Sequence, residues 1–230
     1  MSPGRRPAWG WARASAAAIA TAAVVTATGT AATPSAATEN GDQLLARATS
    51  APGLRSFAVP VRFAVHLHKP LGLRSQVEGT AYFKAPAQSA LVLTKASGIA
   101  GAFFKGTYKL DMVPAAWPFA YHVVGVSPGV VDGVDVLVLR AKPRGSAGGI
   151  AQVFFTLTTP ALEPVAAQWQ YQNASTIQLS LVNGRVGTYT LPLRATITVD
   201  MAHVRLDADA TYGTYILNAR VSESVFAAAK

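Results

Sequence analysis

Apolar and polar residues alternate along many segments of this chain. In segment 164–172, Trp169 and Tyr171 fall on one parity, and Gln168 and Gln170 fall on the other. Five further segments alternate in the same way: Val61–His68, Thr176–Leu181, Thr188–Val199, Ala202–Ala210 and Tyr215–Val221. Because successive side chains of a β-strand point to opposite faces, the pattern predicts a sheet with one apolar face and one polar face.

Very little predicted helix is available to cover the apolar face. The one helical segment is Asp42–Ser50, in which Asp42 is the cap or a first-turn acid and which Pro52-Gly53 ends. The rest of the chain carries about eleven or twelve strands joined by short turns, so neighbouring strands should be antiparallel. Such a sheet either closes into a barrel filled by its own side chains or stays a half-open barrel capped by a helix and a loop.

Glycine, proline, asparagine and aspartate mark the turns between the predicted strands. Asn183-Gly184 and Asp132-Gly133 predict tight hairpins, because these residues tolerate the positive φ that such turns need. Pro128-Gly129 and Gly145–Gly149 predict further loops. Leu110–Tyr121 carries two prolines, which exclude a central strand and indicate a loop or short helical turn over the open side of the sheet.

The first 37 residues have the plan of a cleaved secretory signal. Three arginines precede the apolar segment Ala16–Val25, and small residues follow at Thr30–Ala32 and Ser35–Ala37. An apolar segment this short is typical of a signal and too short for a bilayer-spanning helix. We therefore expect residues 1–37 to be cleaved, residues 38–230 to form a single domain, and the mature protein to be periplasmic or otherwise extracytoplasmic.

Charge and cysteine content exclude several function classes. The chain carries 20 Lys and Arg against 11 Asp and Glu, a formal charge of +9, but the basic residues are scattered and form no nucleic-acid-binding stripe. A mildly basic exported protein can still meet an anionic membrane surface. The chain has no cysteine, which excludes disulfides, thiol catalysis and cysteine-based zinc sites.

Two of the four histidines are spaced as half of a metal site would be. His66 and His68 lie two residues apart on one face of a predicted strand, but they share that face with Arg62, which indicates a solvent-facing position. A zinc site needs a third ligand, and no spacing links the pair to His122 or His203. The sequence therefore predicts no metal site.

Neither the acidic residues nor the sequence motifs indicate enzyme chemistry. Asp207 and Asp209 share a strand face like a carboxylate pair, but they lie with His203 and Arg205 on the polar parity, which indicates surface charge. The sequence contains no nucleophile elbow, phosphate-binding glycine loop or zinc-protease motif. We therefore expect no enzymatic activity and no cofactor.

The inward-facing positions mix small and large side chains. Ala81 and Ala195 have small side chains, whereas Phe83 and Trp169 have large ones. Two interpretations follow, either an apolar cavity of the kind that binds hydrophobic ligands or a core filled by the chain's own side chains.

Four short motifs lie along the chain: Glu78–Pro86 with Ala90–Leu93, Val130–Leu139 with Ala141–Pro143, Gly187–Pro192, and Asn218 with Ser222–Phe226. In this order they resemble an early strand pair, the central hairpin, a late strand and the closing segment of the LolA-like proteins, the outer-membrane lipoprotein-sorting superfamily. With the exported start, the early helix and the long run of strands, the resemblance covers roughly residues 42–226.

This resemblance implies a mainly β (α+β) fold, in which a large curved antiparallel sheet forms an unclosed β-barrel capped by an N-terminal helix and a loop or short helix. It also implies a periplasmic carrier whose apolar cavity holds acyl chains. The implied partners are lipid or acylated lipoprotein, together with a membrane surface or a membrane-bound donor or acceptor. The alternative is an envelope sensor or interaction protein of the same fold, with a filled core and no transported ligand.

The inward-facing residues predicted to line the cavity are Phe63, Val65, Phe83, Leu91, Leu93, Phe103, Val153, Phe155, Trp169, Tyr171, Ile177 and Leu179. The residues predicted to form its lid are Leu44, Leu45, Trp117 and Phe119.

Overall fold

The secondary structure is dominated by β-strands. The structure, a computed structural model, describes residues 40–69, 72–97, 106–109, 112–145 and 148–228. The strands are β1 (Ser56–Lys69), β2 (Leu73–Lys84), β3 (Gln88–Ala96), β4 (Gly106–Lys109), β5 (Tyr121–Val131), β6 (Val134–Pro143), β7 (Ile150–Thr158), β8 (Pro164–Tyr171), β9 (Thr176–Val186), β10 (Tyr189–Asp200), β11 (Arg205–Tyr212) and β12 (Ile216–Leu217). The helices are α1 (Gly41–Ala48), α2 (Trp117–Ala120), which follows a 3-10 turn at Pro114–Ala116, and α3 (Glu223–Ala227).

All described strands belong to one antiparallel sheet. Their order is β4-β3-β2-β1-β11-β10-β9-β8-β7-β6-β5, and the short β12 pairs with β1. The pairing of β1 with β11 brings the first strand beside the eleventh near the middle of the sheet. Within the described residues β4 and β5 each pair on one side only, so the sheet stays open. The predicted fold class, an unclosed antiparallel barrel, is confirmed.

The alternating pattern places the apolar side chains on the concave face. On β7, Val153, Phe155 and Leu157 are fully buried, while the residues between them are half-buried. Trp117 from α2 stacks on Phe155 with 4.5 Å between ring centroids, and the Trp169 indole N–H donates a 2.8 Å hydrogen bond to the Tyr121 hydroxyl. Burial of large side chains of this kind stabilises a fold by about 1.5–3 kcal/mol each.

The helix at the start of the domain begins earlier than predicted. Asn40 is its cap and forms a reciprocal capping box with Gln43. Of the two roles predicted for Asp42, the first-turn acid is confirmed and the cap is wrong. The helix ends at Ala48, two residues before the predicted Ser50. Leu44 and Leu45 are buried against the sheet, so α1 covers part of the concave face.

One of the two predicted hairpin turns is confirmed and the other is wrong. Asp132 and Gly133 form the β5–β6 turn with φ values of 50° and 79°. Asn183-Gly184 instead lies inside β9, and the turn to β10 falls at Gly187, whose φ is 61°. The Leu193 side chain packs directly over Gly184, and a Cβ there would displace the end of that side chain.

The prediction of a loop at Pro128-Gly129 is also wrong, because both residues lie within β5. The two-residue turn makes Val131 and Val134 the hydrogen-bonded pair that closes the hairpin. Hydrogen-bonded pairs recur at every second residue, so Gly129 belongs to such a pair and Pro128 does not. The Pro128 nitrogen therefore points to the open edge of the sheet, where its missing N–H costs no hydrogen bond to β6. A proline at this position also discourages pairing with another strand.

The remaining loop predictions agree with the structure. Residues 145 and 148–149 lie in the connection between β6 and β7. The described part of Leu110–Tyr121 forms the 3-10 turn and α2 before β5 begins. Among the described residues, no helix has the length and apolar composition needed to cross a bilayer.

Candidate ligand cavity

A cavity of about 720 Å³ lies beneath the C-terminal end of α1. Segment 47–52 forms one wall, and the loop residues 112–115 form another. The β7–β8 hairpin contributes residues 160–164, and the start of β10 contributes residues 188–192. Phe57, Ala81, Asn183, Tyr212 and Tyr215 complete the lining. The volume falls within the range of about 300–1,000 Å³ that is typical of small-molecule sites.

The lining contains a group of buried apolar side chains. Phe57 and Ala81 come from neighbouring strands of the concave face, and Leu191 and Tyr215 lie beside them, each less than a tenth exposed. The Phe57 ring stacks on Phe83 at 5.4 Å and meets Tyr215 edge-on at 5.3 Å. Aromatic packing of this kind fixes the wall on one side and leaves an apolar surface on the other.

Tyr212 and Tyr215, two of the three tyrosines in the lining, remain neutral near pH 7. Burial raises the pKa of the Tyr212 hydroxyl to about 12. Burial, and then the neighbouring Tyr212, raises the pKa of Tyr215 still further. The Tyr215 hydroxyl donates a 2.6 Å hydrogen bond to the Pro192 carbonyl oxygen. These groups can therefore position a ligand but do not supply a proton-transfer site near neutral pH.

Polar and charged residues also line the cavity. Ser50, Thr188 and Thr190 are exposed polar lining residues. Arg47, from the last turn of α1, and Glu163, from the β7–β8 hairpin, are the charged side chains among the described lining residues. The cavity therefore combines a buried apolar part with an exposed part that carries one positive and one negative group.

A single carboxylate attaches α1 to the edge of the sheet. Asp42 Oδ1 accepts a 2.7 Å hydrogen bond from the Val123 backbone N–H, and Asp42 Oδ2 lies 2.8 Å from His122 Nδ1. Arg144, just after β6, donates from Nη2 to the same oxygen at 2.9 Å and from Nε to the Pro118 carbonyl at 3.2 Å. Asp42 and Arg144 thus join α1, α2, β5 and the end of β6.

Replacing Asp42 with asparagine should destabilise the protein by about 1–2 kcal/mol, because hydrogen bonds to a charged group are lost. Partial burial opposes ionisation, but the hydrogen bonds from Val123, His122 and Arg144 outweigh it and lower the pKa of Asp42. The stabilisation should be complete above the ordinary aspartate pKa of about 3.9 and disappear as pH falls through the lower folded value. Urea unfolding of wild type and variant at several pH values measures this difference.

The exposed Asp200, at the end of β10, provides the control. Asp200→Asn should change the free energy of unfolding by less than about 0.5 kcal/mol. A difference between wild type and Asp42→Asn that persists unchanged at pH 2 would contradict the assigned role of the carboxylate.

Most of the predicted lining residues lie in the packed interior. Those that are buried are Val65, Phe83, Leu91, Val153, Phe155, Trp169 and Leu179. Those that are partly buried and pack against the core are Phe63, Leu93, Tyr171 and Ile177. Phe103 lies outside the described residues. None of the eleven described residues lines the cavity, and their contact with a ligand stays a prediction.

The four predicted lid residues divide into two groups. Leu44, Leu45 and Trp117 are buried against the sheet, so α1 and α2 do cover the concave face. Phe119, in contrast, is 54% exposed. It therefore does not pack beneath α2 as Trp117 does.

The residues that actually line the cavity come mostly from loops that sequence periodicity does not address. The sequence does carry one signal for a cavity wall, because Pro160 and Pro164 bracket the β7–β8 turn. In the structure Leu162, between them, has a φ of 56°. Asn183 is tied to this hairpin by a 2.8 Å hydrogen bond from its amide nitrogen to the Pro164 carbonyl. Such a rigid, proline-bounded segment suits a fixed cavity wall.

The histidine and aspartate pairs lie away from the cavity. His68 Nε2 is 2.7 Å from Asp207 Oδ2, and the His66 and His68 rings are 4.1 Å apart. Asp207 and Asp209 are exposed and accept hydrogen bonds from threonine hydroxyls of β10. In the part of the chain that is described, no group of three or more His, Asp or Glu could hold a metal ion.

Comparison with known proteins identifies similar structures but no similar sequences. No protein-family model matches the chain, and a search of curated proteins finds no match. A LolA superfamily protein from Nitrosomonas europaea is 13% identical with a TM-score of 0.62, over 81% of this chain and 97% of that one. A domain assigned as an outer membrane lipoprotein-sorting protein from Vibrio parahaemolyticus is 9% identical with a TM-score of 0.58, over 81% and 95%.

A DUF1329 family protein from Desulfovibrio piger is also similar, with 10% identity and a TM-score of 0.56 over 81% of this chain and 95% of that one. At identities of 9–13%, these similarities concern the architecture alone. The antiparallel sheet with two open edges in the described residues and the capping helices agree with the architecture that the resemblance implies. The chain therefore has the LolA-like fold.

Proposed function

We propose that this protein is an exported, non-enzymatic carrier or binding protein that holds the acyl chains of lipid or lipoprotein in its half-barrel cavity. The observation that carries the proposal is the cavity of about 720 Å³, lined by Phe57, Ala81, Leu191 and Tyr215, inside a sheet that does not close. Each methylene that leaves water there contributes about 0.8 kcal/mol to binding.

The LolA-like fold supports this proposal, since one similar structure is assigned as a lipoprotein-sorting domain. The proposal includes export by cleavage of residues 1–37 and a periplasmic or other extracytoplasmic location. The wall residue Phe57 stacks on Phe83, one of the residues predicted from the sequence to line the cavity. A membrane-bound donor or acceptor would supply or receive the ligand.

A second candidate is an envelope sensor or interaction protein of the same fold. It is favoured by the large exposed apolar residues that are concentrated on the β5–β6 hairpin: Val124, Val126, Val130, Val131 and Val134. Exposed apolar residues can contribute to interaction surfaces. This candidate needs no ligand in the cavity.

Native mass spectrometry of the protein purified from its host, combined with titration of a fluorescent fatty acid, separates the two candidates. The carrier should show a co-purified lipid mass and saturable uptake at about one ligand per chain, as expected for one cavity of this size. An unliganded mass together with no uptake would contradict the carrier and favour the interaction protein.

A further inference from the structure

We infer that one corner of the sheet, where β6 ends beside the start of β5, is a docking surface for an anionic lipid bilayer. This surface, termed the basic corner, consists of three cations and two exposed apolar side chains: Arg140, Lys142, Arg144, Phe119 and Val124. None of the five lines the cavity, so the inference goes beyond the proposed function and does not depend on what the cavity binds.

Two cations of the basic corner lie close together on one face of β6. Arg140 and Lys142 are exposed and alternate with the buried Leu139 and Ala141, so both point away from the concave face. A Cβ at Gly125, the register partner of Arg140, would come 3.6 Å from Arg140 Nη2, so this guanidinium lies over bare backbone. Because two residues of a strand span about 7 Å, one charged surface can contact both cations.

The charges of Arg140 and Lys142 are uncompensated. Neither side chain makes a hydrogen bond or an ion pair with another described residue. Arg144 is paired with Asp42 at 2.9 Å, and Arg62, on β1, is paired with a glutamate of β2 at 3.6 Å. The basic corner therefore keeps two free positive charges on one surface, which complement an anionic partner.

Two exposed apolar side chains lie beside these cations. Arg144 Nε donates to the Pro118 carbonyl oxygen at 3.2 Å, and the Arg144 backbone N–H donates to the Ala120 carbonyl oxygen at 2.9 Å. Phe119, between these two residues, is 54% exposed. Val124, which the register of β5 with β6 skips, is 40% exposed. The free charges and the exposed apolar side chains thus occupy the same corner.

This combination matches a bilayer surface better than a soluble anion. Each Lys or Arg near an anionic membrane raises the affinity about fivefold, and exposed aromatic side chains favour the level of the lipid headgroups. A free anion would use the cations alone and leave Phe119 in water. An acidic protein is the other possible partner, and it predicts no binding to lipid vesicles.

One short segment connects the basic corner to the cavity. Residues 112–115 line the cavity, and Phe119 follows four residues later. Trp117, between them, is fully buried and stacks on Phe155, which fixes the segment to the sheet. Docking at the basic corner would therefore hold one wall of the cavity close to the lipid surface.

Flotation with lipid vesicles tests the charge of the basic corner. Wild type should bind vesicles that contain phosphatidylglycerol and should not bind vesicles of phosphatidylcholine alone. Arg140→Gln combined with Lys142→Gln should weaken binding to the anionic vesicles about thirtyfold, which corresponds to about 1 kcal/mol for each cation. Every variant is produced in and purified from the host, so the processing of the amino terminus is the same in all of them.

Arg185→Gln combined with Arg194→Gln is the matched control, because it removes the same net charge from exposed positions on β9 and β10. β9 lies three strands from β6, about 14 Å at the usual strand spacing. Since this exceeds the screening length of about 8 Å at physiological ionic strength, the control should change the affinity less than about threefold. A purely solubilising role of surface cations predicts equal effects of the two double variants.

A fluorescent label tests whether Phe119 enters the lipid. The chain has no cysteine, so Phe119→Cys and Val182→Cys each provide one site for a nitrobenzoxadiazole label. Both residues are apolar and exposed, at 54% and 60%. On anionic vesicles the emission of the label should rise and shift to shorter wavelength at position 119, and it should stay unchanged at position 182.

Equal weakening by the two double variants, or a response of the label at position 182 without one at position 119, would overturn the inference. Absence of vesicle binding by wild type would overturn it as well and would favour an acidic protein as the partner of the basic corner. Fatty-acid uptake is measured without vesicles, so failure of the inference and failure of the proposed function are distinguishable.

Discussion

Replacing Ala81 with phenylalanine should lower the affinity of the protein for a fluorescent fatty acid at least tenfold. Ala81 is buried on the concave face of β2 and lines the cavity beside Phe57, so the ring would occupy space that the ligand needs. Excluding about two to four methylenes at about 0.8 kcal/mol each more than accounts for a tenfold loss, which is about 1.4 kcal/mol. Titration of Ala81→Phe beside wild type measures the effect.

Thr80→Phe is the matched control, because Thr80 is the next residue on the same strand and faces the opposite side of the sheet. It should bind the fatty acid as wild type does. The far-ultraviolet circular dichroism spectrum and the unfolding midpoint of Ala81→Phe show whether the fold persists, since overpacking alone can cost about 1–3 kcal/mol. Wild-type affinity in a folded Ala81→Phe variant would place the ligand elsewhere.

Trp117→Ala should destabilise the protein by about 3–5 kcal/mol, as large aromatic truncations in a core typically do. Trp117 is fully buried, stacks on Phe155 at 4.5 Å and meets Trp169 edge-on at 6.5 Å. The substitution would leave a void between α2 and the sheet. The free energy of unfolding, measured with urea, gives the result directly.

Phe119→Ala, two residues later in α2, provides the contrast. Phe119 is 54% exposed, so its truncation should change the free energy of unfolding by less than about 0.5 kcal/mol. Similar losses for the two variants would mean that α2 packs differently from the arrangement described above.

The sheet could be predicted from the sequence because alternation is a local property of each strand. Trp169 and Phe155 had to be buried once their strands were identified, and the turn at Asp132-Gly133 needs only its own two residues to adopt positive φ. The openness of the barrel followed from its resemblance to the LolA-like proteins, since periodicity alone permits both closed and open barrels.

The errors arose where tertiary contacts override local preference. Gly184 looks like a turn residue but lies inside β9 under the Leu193 side chain, and Pro128 is tolerated because it lies on an edge strand. The lining of the cavity beneath α1 could not be predicted for the same reason. Arg47, Glu163 and Leu191 come together only through the packing of loops and strand ends that are distant in sequence, and no periodic pattern encodes that approach.

The central claim is that a guest chain completes the apolar interior beneath α1. A crystal structure of the protein with bound palmitate tests it most directly. We expect a single acyl chain in contact with Phe57, Ala81 and Tyr215, with its carboxylate beside Ser50 and Arg47. An acyl chain bound outside this cavity, or an interior closed by the protein's own side chains with no room for a ligand, would contradict the claim.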